Sequence, residues 1–308
     1  MPYLGEISAL CCSLLWSLSA IAWSNAGRRV GSQVSSAVRL ILAMLMLIAI
    51  HWAIYKSPFP LGGSRHGFIL LALSGVVGLG LGDLCFFNAL KLVGPRIGMM
   101  LATISPAFTA VLAYFLPPHE ALSGVAILGM IMTMAGVIWV ILEKPAEDAW
   151  KVPPGMFRRG VMMGLLGATL FSVGYLFTRQ ALDPKAGMGW DPFPAVLVRV
   201  VAALAVTLFI VTFSGNLTGV RRVFSDWTTL KIITAGTIVG PVLGIWMSLI
   251  AFTHSDAGVA TALITTGPLF MIPIVYFSHG EKTSLRGIIG AIVAIAGVVL
   301  LVLRRELG

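Results

Sequence analysis

The sequence predicts an all-α membrane protein with ten transmembrane helices arranged as two inverted five-helix repeats. Three observations predict this class. Of the 308 residues, 58% are hydrophobic and only 11% are charged, whereas soluble domains carry about 25% charged residues. Ten apolar stretches have roughly the 20 residues needed to cross a bilayer. The last five stretches repeat the pattern of the first five, which indicates an internal duplication.

The ten predicted spans, numbered in chain order, are separated by charged or turn-forming segments such as Lys56-Ser57-Pro58. They cover residues 5–25, 35–55, 67–90, 95–116, 123–142, 160–181, 192–213, 230–253, 257–278 and 285–303. The first span lacks the basic flank and cleavage site of a signal peptide, so we expect a retained helix. The longest polar connection, Glu143 to Arg159, places a first domain at 1–145 and a second at 146–308.

The repeat is an ordered series of matched residues. At a spacing of 162 residues, the pairs are Gly82 with Gly244, Thr103 with Thr265, and Pro106 with Pro268. Arg39 of span 2 matches Arg199 of span 7, and Ser17 of span 1 matches Ser172 of span 6. Because each repeat has an odd number of spans, the second must enter the membrane from the opposite side. Many secondary transporters have this architecture, with the substrate site near the midplane between the repeats.

The order of these features resembles the EamA branch of the drug/metabolite transporter superfamily. The residues that carry the resemblance are Arg39 and Arg199, Gly82 with Ala89-Leu90, Pro106 and Pro268, and Glu120 and Glu281. The resemblance covers nearly the whole chain. It implies a transporter rather than an enzyme, located in the plasma membrane (the inner membrane of a bacterium). Among such proteins, the chain resembles the YddG-type aromatic amino acid exporters.

We therefore expect a secondary transporter that exports amino acids, aromatic or broad range, or similar small metabolites by alternating access through a central cavity. The sequence lacks a Gly-x4-Gly-Lys-Ser/Thr loop, so ATP is not expected to drive transport within this chain. Proton coupling, exchange and facilitated diffusion stay open. The expected partners are a small-molecule substrate and the lipid bilayer but no nucleic acid, and the chain would be a monomer or homodimer.

Polar and aromatic residues inside the spans are the candidates for this cavity, because such groups usually face protein or water within a membrane. The set is Trp16, Ser17, Asp83, Thr103, Ser172, Tyr175, Trp246 and Thr265. Asp83 is the acidic residue deepest in a span, and it could bind a substrate amine, carry a proton or pair with an arginine. Its equivalent position holds Ile245. For the small polar residues, tight helix packing is the alternative role.

Pro106 and Pro268 predict kinks in spans 4 and 9, because proline removes a backbone donor and clashes with the carbonyl group four residues earlier. We expect the kinked helices to line the pathway and to gate it. Arg39 and Arg199 could bind a substrate carboxylate, but their matched positions favour a structural role shared by both repeats. The three cysteines lack metal-ligand spacing, so we expect no metal and no cofactor.

Two alternative functions stay open. Gly80-x-Gly82-Asp83 is the pattern of intramembrane aspartyl proteases, but that chemistry needs a second carboxylate. The other aspartates lie in connections or at span ends, so we expect no catalytic residue. A channel or a lipid scramblase would share the ten-span architecture.

The orientation differs between two lines of reasoning. Side A is the face that bears both termini, and side B is the opposite face. Side B loops carry about twice as many Lys and Arg residues as side A loops. The charge distribution therefore places the termini outside the cell, whereas the resemblance implies the opposite.

Overall fold

A computed structural model describes residues 3–60, 62–117, 119–143, 154–186, 188–270 and 285–307. Every regular element in these ranges is helical. Within the described residues, seven helices are long and apolar enough to cross a membrane, and three shorter apolar helices lie at predicted spans 4, 5 and 9. The predicted all-α membrane fold is confirmed.

Six spans are single helices. Spans 1, 2, 5, 6, 7 and 10 run over Leu4–Val30, Ser32–Tyr55, Gly124–Glu143, Pro154–Leu182, Pro192–Phe213 and Leu285–Leu307. Span 6 begins six residues before its predicted start, because Pro154 occupies the first helical position, where proline fits well. Gly31 alone separates spans 1 and 2, and its φ of 81° is one that glycine adopts without strain. A helix at Leu217–Val223, not predicted, precedes span 8 on side B.

Spans 3 and 8 share a widened segment that the sequence analysis missed. Span 3 consists of α-helix Arg65–Ser74, a π-helical segment Gly75–Gly82 and the start of helix Asp83–Ala102. Span 8 repeats this order, as its three segments are Trp227–Thr237, Ile238–Gly244 and Ile245–His254. The π-helical segments end 162 residues apart, at the matched Gly82 and Gly244. Such segments are rare and frequently mark functional sites.

Spans 4 and 9 are broken rather than kinked, which corrects the prediction for both prolines. A turn at 103–104 separates the helix ending at Ala102 from the helix Ser105–Phe115, and a turn at 265–266 interrupts span 9 after Ile264. Pro106 and Pro268 lie in the first turn of the second half-helix. A proline there needs no backbone donor, so it begins a helix instead of bending one.

The connection between spans 3 and 4 is itself helical, within Asp83–Ala102. The chain nevertheless reverses its direction, and the segments before and after the reversal both lie along span 6. Gly174 approaches Gly78 of span 3, Gly160 approaches Val93, and Gly164 approaches Leu101. Both limbs of this reversal therefore pack on a helix of the second repeat.

Spans 5 and 10 pack closely against each other, which accounts for the small residues on both helices. A Cβ atom on Gly136 would lie 2.6 Å from the Gly290 carbonyl oxygen, and one on Gly129 would lie 3.0 Å from that of Gly297. The small-residue face of span 10 is thus covered within the same chain.

The contact at Gly136 predicts a large difference between two alanine variants of span 5. Gly136→Ala should lower the free energy of unfolding by about 1–3 kcal/mol, because the added methyl meets the backbone of span 10. Gly124→Ala is the matched control, since a Cβ there meets nothing within 4 Å. Thermal unfolding in detergent measures both. Equal unfolding temperatures would contradict the packing described.

A candidate substrate site between the repeats

Two serines make the same pair of contacts at the two helix breaks. Ser17 Oγ lies 2.8 Å from a carbonyl oxygen one turn earlier in span 1 and 2.9 Å from the Gly267 carbonyl oxygen. Ser172 Oγ lies 2.9 Å from the equivalent oxygen of span 6 and 3.0 Å from the Ser105 carbonyl oxygen. Gly267 and Ser105 are 162 residues apart, each directly before a proline. Each hydroxyl group therefore contacts the carbonyl oxygen directly before the proline at one break, and both serines are buried.

The threonines at the breaks are placed less symmetrically. Thr265 Oγ1 donates to the Ala262 carbonyl oxygen at 3.0 Å, within its own helix. Its neighbour Thr266 forms a hydrogen bond of 3.0 Å with Ser13 of span 1. Thr103 is buried. Spans 1 and 9 are thus joined by two serine contacts, one from Ser13 and one from Ser17.

Aromatic rings of spans 1 and 6 lie over the ends of the π-helical segments. The Trp16 ring covers Gly244, where a Cβ atom would come within 2.6 Å of Trp16 Cδ1. The Phe171 ring covers Gly82 at 3.0 Å in the same sense. Trp16 and Phe171 occupy equivalent positions of the two repeats. Phe171 was not among the predicted site residues, although its match to Trp16 at the spacing of Ser17 and Ser172 was visible in the sequence.

Asp83 is paired with Arg39 rather than open to a substrate. Arg39 Nη2 donates to Asp83 Oδ2 at 2.5 Å and to Ser36 Oγ at 3.2 Å. The Arg39 guanidinium also lies 5.3 Å from the Trp23 ring centroid and 6.0 Å from that of Phe87. The ion pair joins spans 2 and 3 of the first repeat, and its two side chains are 12% and 16% exposed.

The remaining aromatic candidates belong to two clusters around spans 6, 7 and 8. Tyr175 is buried, with its ring centroid 4.9 Å from that of Phe252 and 6.5 Å from that of Phe171. Trp246 is half-buried and meets Phe193 edge to face at 5.4 Å. Tyr175 therefore lies in a cluster with Phe171 and Phe252, and Trp246 lies in a second cluster with Phe193.

Arg199 does not share the environment of its match, Arg39. The side chain is 1% exposed, and neither Nε nor Nη1 has a hydrogen-bond partner among the described residues. The Tyr175 phenol and the Cys12 thiol lie near the guanidinium. Gly78 of the span 3 π-helical segment is a neighbour of this group, since a Cβ there would lie 4.0 Å from Nη2. Sequence reasoning gave both arginines one role, and the structure separates them.

Two ion-pair clusters join the repeats on side A. Glu120 accepts hydrogen bonds from Arg179 Nε at 2.8 Å and from the Ala257 backbone N–H at 2.6 Å. Burial raises the pKa of Glu120, against the opposing effects of those two partners.

The second cluster lies at the chain ends. Arg304 Nη1 donates to Glu6 at 2.7 Å, and Arg304 Nη2 lies 3.3 Å from Asp256. Ser255 Oγ donates to Glu6 at 3.0 Å. Glu281, the match of Glu120, lies outside the described residues, so the side B counterpart of these contacts is not described.

A surface cavity of about 480 Å³ opens on side A between the two repeats. Its lining includes His51 and Tyr55 of span 2 and residues 188–191 before span 7. Trp190 is buried there against Gly63 and Gly67 and donates to the Ser64 carbonyl oxygen at 3.4 Å. In the described part of the chain, no cluster of three His, Cys, Asp or Glu side chains could hold a metal ion.

Comparison with known proteins agrees with this architecture. The EamA-like transporter family matches the chain twice, at residues 3–142 and 158–303. No curated protein matches it at a significant level. A solved crystal structure has the same fold, with a TM-score of 0.75 and 18% sequence identity over 97% of this chain and 96% of that one. Because the family covers nearly all of both halves, the chain belongs to the EamA-like transporter family.

Proposed function

We propose that this protein exports amino acids, aromatic or broad range, or similar small metabolites by alternating access across the plasma membrane, the inner membrane of a bacterium. The observation that carries this proposal is the matched pair of serine contacts. Ser17 holds the break in span 9 and Ser172 holds the break in span 4. Each repeat thereby supports the broken helix of the other. Two equivalent hinges of opposite orientation suit a protein that opens to either face.

The aromatic groups support an aromatic or amphipathic substrate. Tyr175, Phe171 and Phe252 form a continuous cluster next to the π-helical segment of span 3. Trp16 lies over the π-helical segment of span 8. Aromatic rings stack on one another with offset or edge-to-face geometry at centroid distances of about 4.5–7 Å. These rings would therefore bind a planar side chain in the same way.

The aspartyl protease is the weaker alternative. Such an enzyme needs two carboxylates that share a proton, whereas Asp83 Oδ2 accepts a hydrogen bond from Arg39. A channel or lipid scramblase differs from a carrier in kinetics rather than in architecture, so a flux measurement separates them.

Purified protein in liposomes should exchange L-tryptophan or L-phenylalanine with saturable kinetics. External labelled substrate should accumulate when the same unlabelled amino acid is inside, because a carrier returns loaded more readily than empty. A pH gradient, imposed or dissipated, tests proton coupling. Flux that rises in proportion to concentration without counterflow would indicate a channel, and cleavage of peptides by the purified protein would indicate an enzyme.

Loss of one serine contact should slow exchange without unfolding the protein. Ser172→Ala and Ser17→Ala each remove a hydrogen bond to a broken helix, and we expect the maximal counterflow rate to fall roughly two- to tenfold. Ser248→Ala is the control, since that buried hydroxyl donates to the Ile245 carbonyl oxygen in its own helix. Equal rates for Ser172→Ala and Ser248→Ala would exclude a role for the breaks in the transport cycle.

The Glu120 contacts should keep side A closed. Glu120→Gln removes the charge that holds Arg179 and the Ala257 N–H, so hydrogen–deuterium exchange of the peptide containing residues 255–258 should rise roughly tenfold. Asp183→Asn is the control, because that side A carboxylate bonds within its own turn.

The same contact should depend on pH in a defined direction. Because burial raises the Glu120 pKa, the charged contact is intact above that pKa and is lost as the pH falls through it. The wild-type exchange rate, corrected for intrinsic chemistry, should approach that of Glu120→Gln at low pH. Identical rates for both proteins at every pH would contradict this role.

A further inference from the structure

The matched arginines Arg39 and Arg199 have different surroundings in the two repeats. Arg39 donates to Asp83, which neutralises its charge within the chain. The position that corresponds to Asp83 in the second repeat holds Ile245, which is buried. Duplication therefore preserved the cation in span 7 but left no carboxylate at the equivalent position of span 8.

Arg199 carries a buried guanidinium within span 7. It is 1% exposed, and its Nε and Nη1 atoms have no hydrogen-bond partner among the described residues. Removing a charged group from water without compensation costs several kcal/mol, and unsatisfied buried polar atoms are rare in native proteins. A carboxylate that reaches this arginine during the working cycle would satisfy both donors and offset that cost.

The guanidinium lies between the repeats, within the first half of span 7 as counted from side A. Arg199 is the eighth residue of span 7, about 11 Å along the helix from its side A end at 1.5 Å per residue. Around it are Gly78 in the π-helical segment of span 3, Tyr175 of span 6 and Cys12 of span 1. Residues of both repeats thus surround the group, as expected for a site reached from either face.

We infer that Arg199 binds the carboxylate of the transported substrate. This inference rests on the proposed function, because it names the group by which that substrate is held. The planar guanidinium can donate two parallel hydrogen bonds to one carboxylate. Tyr175, with Phe252 beside it, places an aromatic surface next to this anchor. The substrate class is therefore a carboxylate that carries an aromatic or large apolar group.

A binding assay on purified protein tests this inference separately from transport. The probes are 3-phenylpropionate and 3-phenylpropionamide, which share the ring and chain length but differ in charge. Dissociation constants come from intrinsic tryptophan fluorescence in detergent at constant chloride. The wild type should bind the acid at least about tenfold more tightly than the amide, as expected for a charge-assisted bidentate contact.

Three variants assign the preference to one residue. Arg199→Gln should reduce the acid-to-amide ratio to about one, and Arg199→Lys should leave a smaller ratio than the wild type, because lysine lacks the planar fork. Arg39→Lys is the control, since it keeps a cation next to Asp83 and should keep the wild-type ratio. If Arg199→Gln does not fold, the ratio of Arg199→Lys decides, because that variant retains the buried charge.

Several results would overturn the inference. These are an unchanged ratio in a folded Arg199 variant, no preference for the acid in the wild type, or an equal loss in Arg39→Lys. A chloride titration that displaces the acid as effectively as added acid does would indicate a general anion site instead. Exchange of amino acids with an unaltered ratio in Arg199→Gln would leave the proposed function standing and remove only the role of Arg199.

Discussion

The fold depends on satisfying backbone polar groups where no water is available. A bilayer tolerates irregular backbone only where protein or a wet cavity receives the exposed groups. Spans 4 and 9 are interrupted inside the apolar region, and at each interruption a serine from the other repeat approaches the carbonyl group before the proline. The same interaction that permits the break also joins the halves. Ser17 and Ser172 thus connect the packing between the repeats with the two breaks.

The sequence predicted the architecture because hydropathy and the repeat are properties of many residues at once. The ten spans, the second repeat and the equivalence of Ser17 with Ser172 all follow from periodic patterns. The positions of the two prolines were identified, but the structure has helix breaks where kinks were predicted. The rule for a mid-helix proline does not say whether the chain will bend or begin a new helix. The serine contacts next to the turns at 103–104 and 265–266 come from distant spans, which no local pattern contains.

The candidate residues show the same limit. Asp83 is a conspicuous charge in an apolar stretch, yet Arg39 pairs with it in the structure. Arg199 looked like a second copy of Arg39, and only the structure shows that its Nε and Nη1 atoms lack a hydrogen-bond partner among the described residues. Phe171 and Phe252 are ordinary apolar residues in the sequence, and their place beside Tyr175 is a tertiary property. The predicted cavity set stays a prediction.

The π-helical segments of spans 3 and 8 have a consequence for how these helices present their faces. A π turn holds more residues than an α turn, and one additional residue rotates everything after it by about 100°. The part of span 3 before Gly75 and the part after Gly82 thus face different neighbours although they form one span. The first part places Gly67 under Trp190 near side A, and the second directs Asp83 towards Arg39. A single span thereby serves two environments, one under Trp190 near side A and one at the ion pair with span 2.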